Sequence, residues 1–277
     1  MIEIKKMEHS DIAFAKYLTD IEQWGHLEND FRRLLHLDPN GCFVAWQDDN
    51  RVGTVTTVSY GDYAFLGNII VKEEHRGGIV GPRLMQHAIG YLDEKGIKTI
   101  ELDSVFSAIA MYRYIGFRDK YRSLRLFREP DRGFDAEYGT SCAASIDDLI
   151  SFDHKQTGIE RGGMLHNLLQ EFPNHTFCVK EDRLQAYAIV RERATRTLAI
   201  GPLVAEGPNV CDILLSAILA TFKNEYMTIG VPEINSAAIE IMLHKGFKRS
   251  PPSMRMYRGP RIDYERHVYG IISADVG

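Results

Sequence analysis

Apolar and polar positions alternate along the first six or so residues, IEIKKM, as they do on a short strand. The spacing then lengthens. Ser10 or Asp11 can cap a helix whose apolar positions are Ile12, Phe14, Ala15, Leu18 and Ile21. A second short helix is predicted around residues 31–37, stopped by Asp38, Pro39, Asn40 and Gly41. CFVAW, the turn QDDN and the β-branched run RVGTVTTVSY predict a hairpin, and YAFLGNIIV a further strand. Over residues 82–95, Leu84, Met85, Ala88, Ile89 and Leu92 share one helical face, which Gly96 ends. KTIELDSV reads as a strand, SAIAMYRYIGF as a short helix and DKYRSLRLF as the last strand, ending near Arg128. The order β-α-α-β-β-β-α-β-α-β describes one mixed α/β domain.

A polar stretch with one proline and two glycines, REPDRGFDAEYG, then reads as a linker. Beyond it the plan repeats. CFVAWQDDNRVGTV resembles FCVKEDRLQAYAIV, LGNIIV resembles IGPLVA, and AIAMYRYIGF resembles AIEIMLHKGF, in the same order and at a nearly constant offset. A period this long means two domains of one fold, since solenoid repeats are far shorter. HVYGIIS, near the end, can add a strand to either sheet.

A length of 277 residues suits two such domains, and 44% hydrophobic with 26% charged residues is the composition of a globular protein. A net charge of −5 gives no case for nucleic-acid binding. Cys42, Cys142, Cys178 and Cys211 are scattered, with no C-x-x-C and no metal-like grouping with histidine, so reduced thiols and no metal are expected. No 18-residue apolar run exists and MIEIKKMEHSD lacks the apolar core of a signal peptide, so a cytoplasmic protein without membrane contact is expected.

The chemistry concentrates in VKEEHRGGIVGPRLM, where a strand hands over to a helix through three glycines. Glycine there permits positive φ and close backbone approach, and the helix start behind it offers unpaired N–H groups and a positive dipole end. Together these form a phosphate site to which Arg76 can add a charge-assisted bond. A Walker loop would need Gly-Lys-Ser/Thr, which is absent, and a Rossmann turn should follow the first strand of a βαβ unit, which this turn does not.

V-x-x-E-x-R-G-x-x-x-G followed by an amphipathic helix resembles the acetyl-CoA signature of the GNAT superfamily of N-acetyltransferases. Ala108, Tyr112, Gly116 and Phe117, about 35 residues on, resemble its second conserved block. The resemblance implies two tandem GNAT-like α/β domains, each a mostly antiparallel central sheet flanked by helices. The first, 1–130, would hold the acetyl-CoA site, and 131–277 would be a degenerate repeat. In that second domain Arg76 becomes Val210, Gly77 becomes Cys211, Gly81 becomes Leu215 and Tyr112 becomes Met242.

The resemblance also carries site residues. Arg76, Gly77, Gly78, Ile79, Val80 and Gly81 would cradle the pyrophosphate, with Ile79 standing where the family has glycine. The pantetheine arm would bond the backbone of Ile69, Ile70 and Val71, where an N–H would polarise the thioester carbonyl. Tyr112 would protonate the departing thiolate, with helix packing as the alternative role. No general base is assigned: Glu73 and Glu74 read as solvated, Glu101 or Asp103 can reach the cleft, and a water chain is an equal candidate. Residues 20–30, DIEQWGHLEND, fall on the acceptor wall. ERGGM, residues 160–164, reads as structural or acceptor-facing. The implied activity is acetyl transfer from acetyl-CoA to a primary amine of a small molecule. A non-catalytic acyl-CoA sensor or interaction protein of the same fold is the alternative. Small amine, amino acid, antibiotic and peptide N-terminus all remain open as acceptors, and the oligomeric state is not read.

Overall fold

Asp48 and Asp49, both at positive φ (48° and 65°), make the two-residue turn that matches the twist of paired strands, and the predicted hairpin closes on it. The computed structural model describes residues 1–131, 133, 142 and 144–277, so most of the expected linker lies outside the described residues. In the first half, β1 (Ile2–Lys6) leads to α1 (Ile12–Ile21), α2 (Glu28–Leu37), β2 (Cys42–Gln47), β3 (Asn50–Tyr60) and β4 (Tyr63–Val71). Then come α3 (Val80–Glu94), β5 (Thr99–Ser104), α4 (Ile109–Tyr114) and β6 (Arg118–Arg128). Helix α2 starts earlier than the apolar spacing suggests because the Asp30 carboxylate accepts the backbone N–H of Leu27 and caps it there.

The second half opens with α5 (Ile146–Thr157) and α6 (Gly162–Glu171), followed by β7 (Thr176–Lys180), β8 (Leu184–Glu192) and β9 (Leu198–Ala205). It continues through α7 (Pro208–Thr221), β10 (Met227–Pro232), α8 (Ser236–His244) and β11 (Lys248–Arg258), and ends with β12 (Val268–Gly270). From its helix pair onward this repeats the first half element for element. The fold is mixed α/β with a mostly antiparallel sheet, as the sequence implied.

The two sheets are joined. Strand order is β1-β2-β3-β4-β5-β11-β6-β10-β9-β8-β7, with β12 set against β9. The last strand of each repeat therefore crosses into the other: β11 pairs with β5 and β6 pairs with β10, both antiparallel. A buried charge network sits at this exchange. Arg255 of β11 bonds Asp103 (2.7 Å) and Glu101 (3.2 Å) of β5, and Glu101 also takes Lys120 of β6 at 2.6 Å. Lys120 in turn pairs with Glu265, and the Tyr63 hydroxyl donates to Glu101. Glu101 and Arg255 are fully buried, so each charge depends on these partners.

Apolar packing follows the same division. Helices α3 and α4 close one core on the first half, and α7 and α8 close another on the second. A third core is shared, with Phe31 and Leu34 of α2 packed alongside Leu165 and Leu168 of α6 and the terminal residues Ile271, Ile272 and Val276.

The cysteines depart from expectation. Cys142 and Cys178 are joined as a disulfide, with Cα atoms 4.9 Å apart, where free thiols were expected. Residue 142 lies against β7, a contact that neither spacing nor a motif encodes. Cys42 and Cys211 are free and buried, and burial pushes the Cys42 thiol up to about 12.

Candidate active site

Strands β4 and β5 run parallel but stay paired only at Tyr63, Ala64, Phe65 and Leu66. From Gly67 onward the β5-facing edge of β4 is unpaired, while its other edge stays bonded to β3 as far as Val71. A bulge starts the divergence. Register slips between Thr54 and Thr56 of β3, and Asn68 takes positive φ (49°). Its amide donates to Thr56 Oγ1 (3.1 Å) and its carbonyl accepts from Thr54 Oγ1 (2.9 Å), which holds the bend. The exposed backbone edge at Ile69, Ile70 and Val71 thus faces a gap.

That gap is one wall of a cavity of about 880 Å³. Gly77 stands at φ 75°, the left-handed geometry a side chain would strain, and Gly77, Gly78 and Gly81 line the cavity mouth with Arg76. Ile79 sits at φ −89°, open to any residue, with its side chain 62% exposed. The glycine missing there is one the backbone does not require. Val80 begins α3 and is buried in the first-half core, so neither Ile79 nor Val80 lines the cavity through its side chain. Arg76 is not idle: Nε donates to the Val71 carbonyl at 2.8 Å and Nη2 pairs with Glu22.

Tyr112 on α4 lines the same cavity, beside Ala108 and Met111. Its ring stands edge-on to Phe117, centroids 6.1 Å apart, and burial pushes its phenol well above the ordinary value, so the proton stays on across neutral pH. Tyr114 is 92% exposed and outside the cavity.

The far side of the cavity comes from the α1–α2 loop and from the second half. Glu22, Gln23, Trp24 and His26 of the predicted wall line it, whereas Asp20 and Asp30 are engaged by Lys16 and Arg33. Of the two β5 carboxylates, Asp103 reaches the cavity and Glu101 is consumed by the buried network. Glu73 and Glu74 are solvent-exposed as expected. ERGGM is structural: Arg161 pairs with Asp153 at 2.7 Å, and the segment does not line the cavity.

Several lining residues carry no sequence signal. His26 is only 4% exposed; Nε2 lies 3.2 Å from Asp275 Oδ2, in ion-pair reach though poorly aligned as a hydrogen bond, and Nδ1 has no partner among the described residues. Burial alone would raise the Asp275 carboxyl, but His26, Ser273 and Arg193 outweigh it and hold it well below the usual range. Asp275 arrives on the segment after β12, at the opposite end of the chain from its partner. Arg125, Arg191 and Arg193 complete this side. Only their chemistry, never their spacing, could have drawn notice. Among the described residues no group of His, Cys, Asp and Glu could hold a metal, and no helix is long and apolar enough to cross a membrane.

Two family models match the chain, an acetyltransferase (GNAT) family over residues 10–117 and an acetyltransferase (GNAT) domain over residues 149–270. Among curated proteins, holothin acyltransferase of Pseudoalteromonas sp. (strain SANK 73390) is 29% identical over 261 residues, covering 92% of this chain and 88% of that one. Among solved structures, a Pyrococcus horikoshii protein whose acetyltransferase role is itself an inference superposes with TM-score 0.84 at 22% identity, over 100% of this chain and 96% of that one. A GCN5-related N-acetyltransferase of Sphaerobacter thermophilus gives TM-score 0.68 at 12% identity, over 95% and 97%. At these identities the superpositions speak for the fold.

Proposed function

The chain belongs to the GNAT superfamily of acyltransferases, carrying its domain twice, and from that footing we propose that it transfers an acetyl group from acetyl-CoA to a primary amine of a small molecule. The division of labour we propose keeps the donor site in residues 1–130 and gives 131–277 a supporting role. The observation that carries this reading is the unpaired edge of β4, which opens on the same cavity as the glycine turn and Tyr112.

Bound acetyl-CoA would supply the acyl group as an activated thioester. The residues around it have separate tasks. Backbone N–H groups of Gly77, Gly78 and Gly81, with Arg76 once it leaves Glu22, suit the phosphates. The β4 edge at residues 69–71 suits the amides of an extended arm and can polarise a carbonyl beside it. His26, beside Asp275, would take the proton the amine must shed before it attacks once one of its ring nitrogens, both buried, turns to face the cavity. Tyr112 keeps a proton at its hydroxyl for the leaving sulfur, and its burial supports that role. A protein drawing on CoA thioesters works in the cytoplasm, and we place it there.

The test is a panel of amines with CoA-thiol release as readout, run with acetyl-CoA and with longer acyl-CoAs, and with holothin among the acceptors because the curated relative acts on it. Acetylation of small amines is the expected result. Binding of acetyl-CoA without turnover on any acceptor or donor would move the sensor reading ahead.

A further inference from the structure

Three arginines, Arg125, Arg191 and Arg193, meet on the acceptor side of the cavity. Arg191 of β8 is 5% exposed and has no carboxylate within ion-pair distance among the described residues. Its Nε donates to the Gly201 carbonyl at 3.0 Å and its Nη2 to the Ile272 carbonyl, while Nη1 makes no hydrogen bond among the described residues. Arg193, just beyond β8, bonds the Trp24 carbonyl and no carboxylate. Arg125 of β6 donates to Ser253 Oγ at 3.0 Å and lies 3.7 Å from Asp103, which Arg255 already holds at 2.7 Å. Arg125 is about one third open, and it lines the cavity.

Burial is the largest influence on two of these charges. Burial lowers the pKa of Arg191 to about 10 and lowers that of Arg125 as well; Asp30 and Asp103 respectively pull back against it, and Arg193 pushes both down. The carboxylates nearby are shared: Asp275 lies beside His26, Asp30 and Glu171 both hold Arg33, and Asp103 is held by Arg255. Arg191 Nη1 makes no hydrogen bond and Arg193 no ion pair among the described residues, so both keep donors that an anion entering the cavity can take. The phosphates of CoA belong at the other end, at the glycine turn. Arg193, by contrast, is bonded to the loop that forms the acceptor wall.

We propose that Arg125, Arg191 and Arg193 form an anion subsite, and that the acceptor is an amine carrying an anionic group, a carboxylate foremost. The proposal rests on the acyl-transfer reading above. The anionic end would dock on the planar guanidinium donors and leave the amine directed toward the β4 edge and His26.

The experiment uses the full chain and matched acceptor pairs, amino acids against their carboxamides, with aminoalkyl phosphonates as a third arm. Wild type should favour the acid over the amide by about 10–100-fold in kcat/KM, the size of one or two charge-assisted bonds. In Arg193→Gln and Arg125→Gln that ratio should fall toward one; being a ratio, it does not depend on how much of a variant folds. A phosphonate preferred over the carboxylate would keep the subsite and rename its anion. Carboxamides matching or beating the acids in wild type would overturn it. Calorimetry of the same pairs with CoA present reads the discrimination without turnover. Acids that bind better than amides while no amine is acylated would sink the acyl-transfer reading and leave the subsite standing; equal binding of both would sink the subsite.

Discussion

In the first half, β4 and β5 separate after Leu66 and Leu102 and leave the cavity between them; in the second, β9 and β10 separate after Ile200 and Ile229, and the chain's own β12 fills the gap. Val268 and Gly270 pair with β9, and the Ile271 amide donates to the Gly230 carbonyl of β10 at 2.9 Å. The fit is close. A Cβ on Gly201 would stand 2.0 Å from the Ile271 carbonyl oxygen, so glycine at 201 is what admits the strand. Asn235, at the start of α8, donates to the Val268 carbonyl at 2.9 Å and pins β12 from the other side. The same parallel pair thus makes a slot in one repeat and a filled sheet in the other. Besides lacking the arginine and glycines of the first, the second repeat has a segment of its own chain in the corresponding gap. Past β12 the chain runs back to the first repeat and lends it Asp275.

The sharpest break of this comparison is to separate the halves. A fragment ending at residue 130 would lack β11 between β5 and β6, the α6 and terminal side of the shared third core, and the second half's part of the cavity wall. We expect it to be insoluble or unfolded, and to recover solubility and activity when 131–277 is co-expressed. A soluble, monomeric, fully active 1–130 would show that the strand exchange is incidental. A milder version is Arg255→Leu, which leaves Glu101 and Asp103 buried with fewer partners. Removing one member of a buried charge network costs about 3–5 kcal/mol, readable in denaturant unfolding. A change below about 1 kcal/mol, the scale of an exposed pair, would mean that water reaches the network.

These two changes also mark where the sequence stops being informative. The first repeat was legible almost element by element, because alternation, helical spacing and turn residues are local: YAFLGNIIV is β4 to the residue. The glycine turn and the Gly116-Phe117 block were legible because backbone geometry restricts residue choice. Strand exchange was not, since Leu124 or Met256 alternates in the same way whichever neighbour it pairs with. The linker itself carries no register. His26, Asp275 and the arginines were missed for a related reason. They meet from the α1–α2 loop, β6, β8 and the terminal segment, and no spacing joins them. One sequence-based argument also changes sign. Ile79 in place of glycine counts against a working turn in the sequence, yet its backbone conformation is an ordinary one and its side chain points to solvent.

Chemistry sharpens the contrast next. Met242 stands in the second repeat where Tyr112 stands in the first, and both are buried. Tyr112→Phe should lower kcat by about 10²-fold or somewhat less, with acetyl-CoA affinity nearly unchanged, as loss of a general acid does. The pH profile is a second readout. From sequence alone a high-pH limb is expected from the tyrosine proton. Burial raises that phenol far enough to carry the limb beyond ordinary assay pH, so wild type should stay flat on the alkaline side. Asp275 stays ionised throughout, its carboxyl being held low. His26→Gln should cost about 10²-fold in kcat. An unaltered kcat in His26→Gln would hand the proton to water.

The smallest effect bears on the turn itself. Only the first repeat keeps an arginine there, so one acetyl-CoA should bind per chain; two equivalent sites in a titration would contradict the filled slot. Arg76 is not waiting free for a phosphate, however. Its guanidinium is engaged by Glu22 and by the Val71 carbonyl, and it has to give up the carboxylate to take the ligand. A charge-assisted bond to phosphate is worth about 1.5–3 kcal/mol, and a half-exposed ion pair such as this one about 0.2–1 kcal/mol. The difference leaves Arg76→Ala weakening acetyl-CoA by roughly 2–100-fold, less than the intact bond would suggest. Glu22→Gln should act in the opposite direction, tightening the donor by about 2–5-fold because the competitor is gone. Neither change should alter binding of a pantetheine fragment that lacks phosphates. Both shifts should shrink as salt rises, since the pair is open to solvent and phosphate contacts are screened as well. Weaker binding in Glu22→Gln would show that Glu22 orients Arg76 toward the phosphate instead of competing with it, and the turn would then be assembled in advance of its ligand.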